Sequence, residues 1–342
     1  VYAGWQFASF VDAARRGLEP LPVRPPAVEA YLPITGLMGL VDWIYRGALN
    51  AVHPAATTLL LTFLAMSLLL RRSFCSWVCP VGLLSETLAR LGQRAVGRNL
   101  RIGRLADLAM RGLRYVLLGF FLWAILGMSP ADLGSFINSP YNRVADVKMY
   151  MFFERIGTTA ILVLASLAIG SVLVNGFWCR YLCPYGALLG LASRLSPVRV
   201  SRDESLCIDC GRCDGACPAG IAVSRSTKVG GVECTGCLDC LASCPSPGSL
   251  SARARSRPIR VAAFAVAVLA LFVISYSTAR LTGHWRNAIG DPEYIEHLSR
   301  INTPAYAHPG AAGPGPPRDD SAETHGGAGV HRTAAAEAGN AR

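Results

Sequence analysis

The sequence predicts an α-helical integral membrane protein of about four transmembrane helices, with a small α+β module inserted before the last of them. Three observations predict this. Apolar residues gather into long runs, arginines gather between alternate runs, and cysteines gather into four short motifs. Of the 342 residues, 52% are hydrophobic and only 16% charged. The mean hydropathy of +0.35 is too high for an ordinary soluble domain. The chain opens at Val1 without the basic, apolar and cleavage-site succession of a signal peptide, so an upstream segment is expected. The opening "VYAGWQFASF" reads as the outer end of a helix, since Tyr and Trp favour membrane interfaces.

Four runs approach the ~20 residues that a ~30 Å hydrocarbon core requires. They lie at about Ala51 to Leu70, Gly112 to Pro130, Ile156 to Val174 and Ile259 to Ala279. The stretch from Tyr31 to Leu49 holds Asp42, Arg46 and several glycines, and reads as an interfacial helix or loop.

Arginine placement orients these runs. Between the first and second stand Arg71, Arg72, Arg90, Arg94, Arg98, Arg101, Arg104 and Arg111, opposed only by Glu86 and Asp107. Arg253, Arg255, Arg257 and Arg260 precede the fourth. The connection between the second and third is balanced. The first and third connections therefore face the cytoplasm, and the second connection and both chain ends face outside. This accounts for the net charge of +11 without nucleic acid, for which no aromatic-basic interleaving is present.

The densest signal lies between the third and fourth runs. "CIDCGRCDGACP" supplies Cys207, Cys210, Cys213 and Cys217; "CTGCLDCLASCP" supplies Cys234, Cys237, Cys240 and Cys244. Both read C-x2-C-x2-C-x3-C-P. Three closely spaced thiolates hold three corners of a cubane, and the fourth corner comes from the partner motif. Cys207, Cys210, Cys213 and Cys244 are thus assigned to one [4Fe-4S] cluster, and Cys234, Cys237, Cys240 and Cys217 to the other. Gly211 and Gly236 permit tight loops whose N–H groups point at sulfur. Zinc prefers two C-x2-C pairs well apart, and disulfides do not suit the reducing side of a membrane. Residues from about Ser201 to Leu250 resemble a bacterial-type two-cluster ferredoxin.

A second pattern occurs twice, as "FCSWVCPVG" and "FWCRYLCPYGALLG". Shifted by 104 positions, Cys75 meets Cys179, Cys79 meets Cys183, Pro80 meets Pro184 and Gly82 meets Gly186. Each follows a run entering from outside, so the copies form a parallel internal repeat. Cysteines four apart share a helix face. Packed together, the copies would bring four soft ligands to the cytoplasmic membrane edge. A further cluster, another metal centre and a redox-active dithiol all suit them.

Taken together, the runs, the two C-x3-C-P motifs and the two ferredoxin motifs resemble the NapH/NosR/CcoG-type (also FixG/RdxA) membrane polyferredoxins over roughly His53 to Ala279. The resemblance implies electron transfer at the bacterial inner membrane, between the quinone pool and a redox partner of a respiratory or maturation system. The NosR type adds an upstream flavin-binding domain, which is not expected within these residues. The chain departs from the CcoG type in ending with a Gly/Ala/Pro-rich tail where that type has an immunoglobulin-like domain.

The expected organisation is an outside segment (1–50), a first membrane repeat with its basic loop (51–130) and an outside loop (131–155). A second span with C-x3-C-P (156–196), the two-cluster module (197–252), a last helix (259–279) and a largely disordered outside tail (280–342) follow. The expected partners are the bilayer, quinone or quinol and a redox protein. The chain reads as an electron carrier or quinol-oxidising subunit rather than a stand-alone enzyme. A copper-reducing assembly factor for an oxidase and an iron-sulfur redox sensor are the alternatives. His53, Trp77 and Tyr181 read as interfacial anchors; Asp146, Glu154, His284 and His297 read as solvated.

Overall fold

In the computed structural model of the protein, residues 2–97, 100 and 102–307 are described. Arg98, Arg101 and the tail from 308 onward lie outside them. Helices α1 (Tyr2–Arg15), α2 (Pro33–Arg46), α3 (Pro54–Leu70), α4 (Pro80–Val96) and α5 (Arg104–Leu126) precede three short ones, α6 (Pro130–Ile137), α7 (Pro140–Arg143) and α8 (Ala145–Glu154). After α9 (Thr158–Leu173) and α10 (Pro184–Ala192) come four antiparallel strands, β1 (Val198–Arg202), β2 (Lys228–Val229), β3 (Leu250–Ala254) and β4 (Arg257–Ile259). Their spatial order is β2-β1-β3-β4. Short helices α11 (Arg212–Ala216) and α12 (Asp239–Ala242) lie within the cysteine motifs, and α13 (Val261–Leu281) and α14 (Asp291–Arg300) follow the sheet.

Among the described residues two helices are long and apolar enough to cross a membrane, Leu105–Leu126 and Val261–Leu281. A third is counted if α8 and α9, bent by 84° at their junction, form one span. α3 is apolar but only 17 residues long. The helix expected from Gly112 begins earlier, because its charges are taken up inside the protein. Arg111 pairs with Asp107 one turn back, and Arg114 pairs with Glu233 of the cysteine module.

The four apolar helices differ in what they bury. α3 is apolar on every side and packs against α2, α10 and α13, as a central helix must. α2, expected as an interfacial helix or loop, lies directly on it. Gly36 lets the backbones approach, since a Cβ there would collide with the Ala56 carbonyl. By contrast α5, α9 and α13 leave Val116, Phe120, Leu162, Val163, Leu269 and Ile274 exposed. An apolar band of this extent calls for a non-aqueous neighbour.

One core runs from α3 into the module and on to α13, joining Phe63 and Met66 to Val198, Val200, Leu238, Phe264 and Val268. The module is therefore fixed to the helix ends. A second core caps the opposite end and joins Phe7, Phe10 and Val11 of α1 to Val147 of α8 and Tyr294 and Leu298 of α14.

This cap corrects several expectations. Residues 131–155 form three helices, with Ser129 and Ser139 capping α6 and α7. Asp146 is fully buried and accepts a 2.7 Å bond from Arg24 Nε. Glu154 is exposed, as expected, and pairs with Arg15 at 2.6 Å. Residues 280–307, expected to be largely disordered, include α14, where His297 bonds Tyr306 at 2.6 Å. His53 is an interior residue rather than an interfacial anchor. Its Nε2 is 2.7 Å from the Asn142 carbonyl and its Nδ1 3.2 Å from Glu29. Burial pushes the Glu29 carboxyl up, but Arg24 and His53 outweigh burial and hold it below the ordinary carboxylate range. Buried charges persist only when paired in this way.

Candidate electron-transfer centres

The first C-x3-C-P motif starts where α3 ends. Arg71 adopts a left-handed conformation (φ 64°) and turns the chain. Phe74–Val78 then form a π-helical turn closed by the bond from Cys79 N to Phe74 O, 2.8 Å. Pro80 forces Cys79 into an extended conformation (ψ 117°) and begins α4. The second copy repeats each step. Trp178–Leu182 form the π turn, Cys183 N meets Trp178 O at 3.0 Å, and Pro184 begins α10. The cysteines thus sit on a widened turn rather than on the α-helix face that their spacing implied. Such turns are rare and recur at functional sites.

The turns bring Cys75 and Cys179 to the wall of one cavity, with Cys79 and Cys183 near enough for their charges to act on Cys179. Burial, then Cys183, Cys75 and Cys79, push the Cys179 thiol up to about 12; burial pushes Cys183 up to about 11. Burial thus favours the neutral form of Cys179 and Cys183. A metal bound there would draw them into the thiolate form. Arg72 Nη2 stands 3.9 Å from Cys75 Sγ. Gly82 and Gly186 open the helix starts that follow. A Cβ at Gly82 would collide with the Cys75 carbonyl, and one at Gly186 would stand 3.5 Å from Cys183 Sγ.

In the module the cysteines line two cavities in crossed sets. Cys234, Cys237 and Cys240 line one together with Cys217 of the other motif. Cys207, Cys210 and Cys213 line the second together with Cys244. Among the described residues no three His, Cys, Asp or Glu converge as ligands of a single metal ion. The thiols surround a space instead, as the corners of a cubane do. Gly211 and Gly236 are left-handed (φ 67° and 69°), and Leu238 and Asp209, at the corresponding places of the opposite motif, follow at 67° and 50°. A left-handed non-glycine costs about 1–3 kcal/mol and persists only where its surroundings impose it. Leu238 is held by burial in the core and Asp209 by Arg202.

The two cavities differ in exposure. The Cys234 cavity lies against the helix ends, where a Cβ at Gly236 would stand 3.4 Å from the Leu70 carbonyl oxygen and 3.5 Å from Phe264. Burial drives Cys240 up to about 12. The Cys207 cavity lies outward, with Cys210 exposed and Ile208 66% exposed beside it.

A set of hydrogen bonds joins the first C-x3-C-P copy to the loop holding Cys234. Arg71 donates to Gly230 O at 3.0 Å and to Gly231 O at 2.5 Å, and Arg72 to Val232 O at 3.1 Å. Ser76 Oγ donates to Thr235 O at 3.0 Å and Trp77 Nε1 to Gly236 O at 3.1 Å. The second copy is anchored elsewhere. Tyr181 OH and Arg180 Nη2 both donate to Asp107 of α5, at 2.6 and 2.9 Å. Trp77 and Tyr181 are therefore connectors, not interfacial anchors. Arg71, Arg72, Asp107 and Glu233 went unnoticed in the sequence as site residues. Two arginines after an apolar run look like any positive-inside pair.

Comparison with known proteins agrees with this layout. The family described as "4Fe-4S binding domain" matches residues 52–99 and again 156–202, the two copies of the repeat. The family described as "4Fe-4S dicluster domain" matches residues 199–245. No solved structure matches. The putative electron transport protein YccM of Escherichia coli is 41% identical over 278 residues, 79% of this chain and 78% of YccM. The ferredoxin-type protein NapH of Haemophilus influenzae is 31% identical over 176 residues, 50% of this chain and 57% of NapH. The methylamine utilization ferredoxin-type protein MauN of Paracoccus denitrificans is 30% identical over 191 residues, 54% of this chain and 62% of MauN. Cysteine pattern, repeat and relatives agree, and the chain belongs to the NapH-type polyferredoxins, an iron-sulfur electron-transport family.

Proposed function

We propose that the protein relays electrons across the edge of the bacterial inner membrane, between the quinone pool and a cytoplasmic redox partner. Its apolar runs make four spans, counting α3 and the bent α8–α9 pair, and the module faces the cytoplasm. Cys217, Cys234, Cys237 and Cys240 hold one [4Fe-4S] cluster; Cys207, Cys210, Cys213 and Cys244 hold the other. Cys75, Cys79, Cys179 and Cys183 hold a third centre at the membrane edge. Each cluster supplies one-electron redox chemistry at a potential set by burial and hydrogen bonding.

The observation that carries this reading is the row of three thiol sets. It runs from the repeat, through the buried Cys234 cavity, to the exposed Cys210. The Arg71, Arg72, Ser76 and Trp77 bonds hold the first two sets at a fixed separation. The Cys234 cavity is lined largely by apolar residues, with Cys240 buried, while Cys210 of the outer cavity is exposed and open to a partner.

The test is anaerobic iron and acid-labile sulfide per chain, followed by quinol addition to the protein in liposomes. Three cubanes give about twelve of each, and two give about eight. Quinol-dependent cluster reduction supports the relay. Full clusters that quinol leaves oxidised would overturn the quinone link. Loss of oxidase copper on deletion of the gene, with quinol chemistry intact, would favour an assembly factor. Redox-dependent partner binding without turnover would favour a sensor.

A further inference from the structure

Arg72 is a buried cation without a carboxylate of its own. It is 3% exposed, and Glu233, the acid whose charge it feels, is engaged by Arg114. Its polar contacts are the Val232 carbonyl and the Cys75 sulfur. A buried charge left unmatched is strongly unfavourable, so its place among the thiols calls for negative charge there.

The surroundings are shaped to receive it. Arg72 leaves the first copy and inserts against α10 of the second, beside Gly186 and Gly190. A Cβ at these glycines would stand 3.3 Å from Nη2 and 3.4 Å from Cδ. The repeat offset pairs Arg72 with Gly176, so one guanidinium serves both copies. A cavity beside it is walled by Cys75, Cys179 and Cys237. The buried unpartnered polar atoms on its wall are Nε of Arg72, Arg114 and Arg180, Nη1 of Arg114, and Ser85 Oγ. Every one of them can donate, and the nitrogens can only donate. The carboxylates on the same wall, Glu233 and Glu86, are engaged by Arg114 and Arg90, so the unpartnered donors favour an electron-rich, anionic neighbour.

We propose that Arg72 is the counter-charge of an anionic metal-thiolate centre formed by Cys75, Cys79, Cys179 and Cys183, and that it sets the potential of that centre. This rests on the four-cysteine centre of the proposed function. The Val232 carbonyl and the Cys75 sulfur at 3.9 Å alone leave Arg72 without a counter-charge, whereas four thiolates around a cluster core carry net negative charge. One-electron reduction by the upstream donor adds one further unit of negative charge. A fixed cation beside the centre favours the reduced form and raises the potential. Through Val232 the same side chain braces the loop that leads to Cys234.

The experiment is a redox titration, followed by electron paramagnetic resonance, of the full-length protein in detergent. The relevant signal is the one lost when all four C-x3-C-P cysteines become Ala. Arg72→Gln keeps a donor for Val232 but removes the charge; Arg72→Lys keeps the charge. In Arg72→Gln the reduction equilibrium should fall at least tenfold, which is about 59 mV for one electron. The ferredoxin signals should stay in place, and Arg72→Lys should recover most of the loss. Failure of Arg72→Gln alone to load the centre, with Arg72→Lys loaded, also supports the proposal. Full iron with an unmoved potential in Arg72→Gln overturns it while leaving the centre intact. Equal loss of iron in both variants overturns it too, because packing rather than charge is then what matters. Wild-type protein with about eight irons and no other thiol-bound metal removes the centre and the counter-charge together.

Discussion

The two C-x3-C-P copies share a backbone and differ in their neighbours. Both place the first cysteine on a π turn, the second in extended backbone and a proline at the next helix start. Yet the first copy is bonded to the Cys234 loop through Arg71, Arg72, Ser76 and Trp77. The second is bonded to α5 through Arg180 and Tyr181. The comparison separates two jobs. What the copies share positions the thiols; what they do not share decides where each is anchored. On the proposed reading, the first copy is the exit toward the module and the second is the fixed wall.

The strongest way to break this comparison is to remove one thiol from each copy. Cys75→Ala and Cys179→Ala should each lower iron from about twelve to about eight per chain, since the copies share one centre. Loss in only one variant, by iron assay, would mean that the copies act separately.

A large effect is also expected at Arg71, which is 1% exposed and holds three carbonyls. Arg71→Ala should cost about 3 kcal/mol or more, because those carbonyls lose charged donors. Hydrogen exchange should report loss of protection at residues 230–236 well before the cap at α1 and α14.

Asp107→Asn sharpens the contrast from the other side. It weakens the anchor of the second copy and should cost about 1.5–3 kcal/mol in thermal unfolding. The potential of the Cys234 cluster should not move. Trp77→Phe removes a single neutral bond worth about 1 kcal/mol, yet it should move that potential, since its partner is Gly236 beside Cys237. If Asp107→Asn shifts the Cys234 cluster and Trp77→Phe does not, the assignment of exit and wall is reversed.

The smallest expected effect concerns the cap. Glu29 is held below its ordinary range, so its contribution is present above its unfolded pKa, near 4.3. That contribution is lost as the pH falls through the lower folded value. Acid unfolding of Glu29→Gln should therefore begin from lower stability and be flatter below about pH 4.3, while the ferredoxin cores respond as in the wild type.

The apolar runs and the cysteine spacing were legible because each is a local, periodic pattern. A run of leucines excludes water wherever it sits, and C-x2-C-x2-C-x3-C-P constrains one short loop. Cys217 lines a cavity with the Cys234 set and Cys244 one with the Cys207 set, and the cluster assignment built on that spacing is part of the proposed function. The cap was not legible. Asp146, Glu29, Arg24 and His53 are ordinary polar residues scattered over 123 positions of chain, and only folding brings their charges together. Likewise nothing in the sequence singled out Leu238. Its left-handed backbone is imposed by the loop it closes.

By itself the sequence determined which residues avoid water, which thiols stand close along the chain, and that one motif occurs twice. Those follow from composition and short spacing, which act before any long-range contact forms. Tertiary structure alone decided that Arg72 is buried beside Cys75 without an acid of its own. It also decided that the Cys234 cavity lies inward and Cys210 outward, and that the copies hold different partners. Charge pairing, burial and hydrogen-bond donors all depend on neighbours distant in sequence, and no local pattern records who those neighbours are.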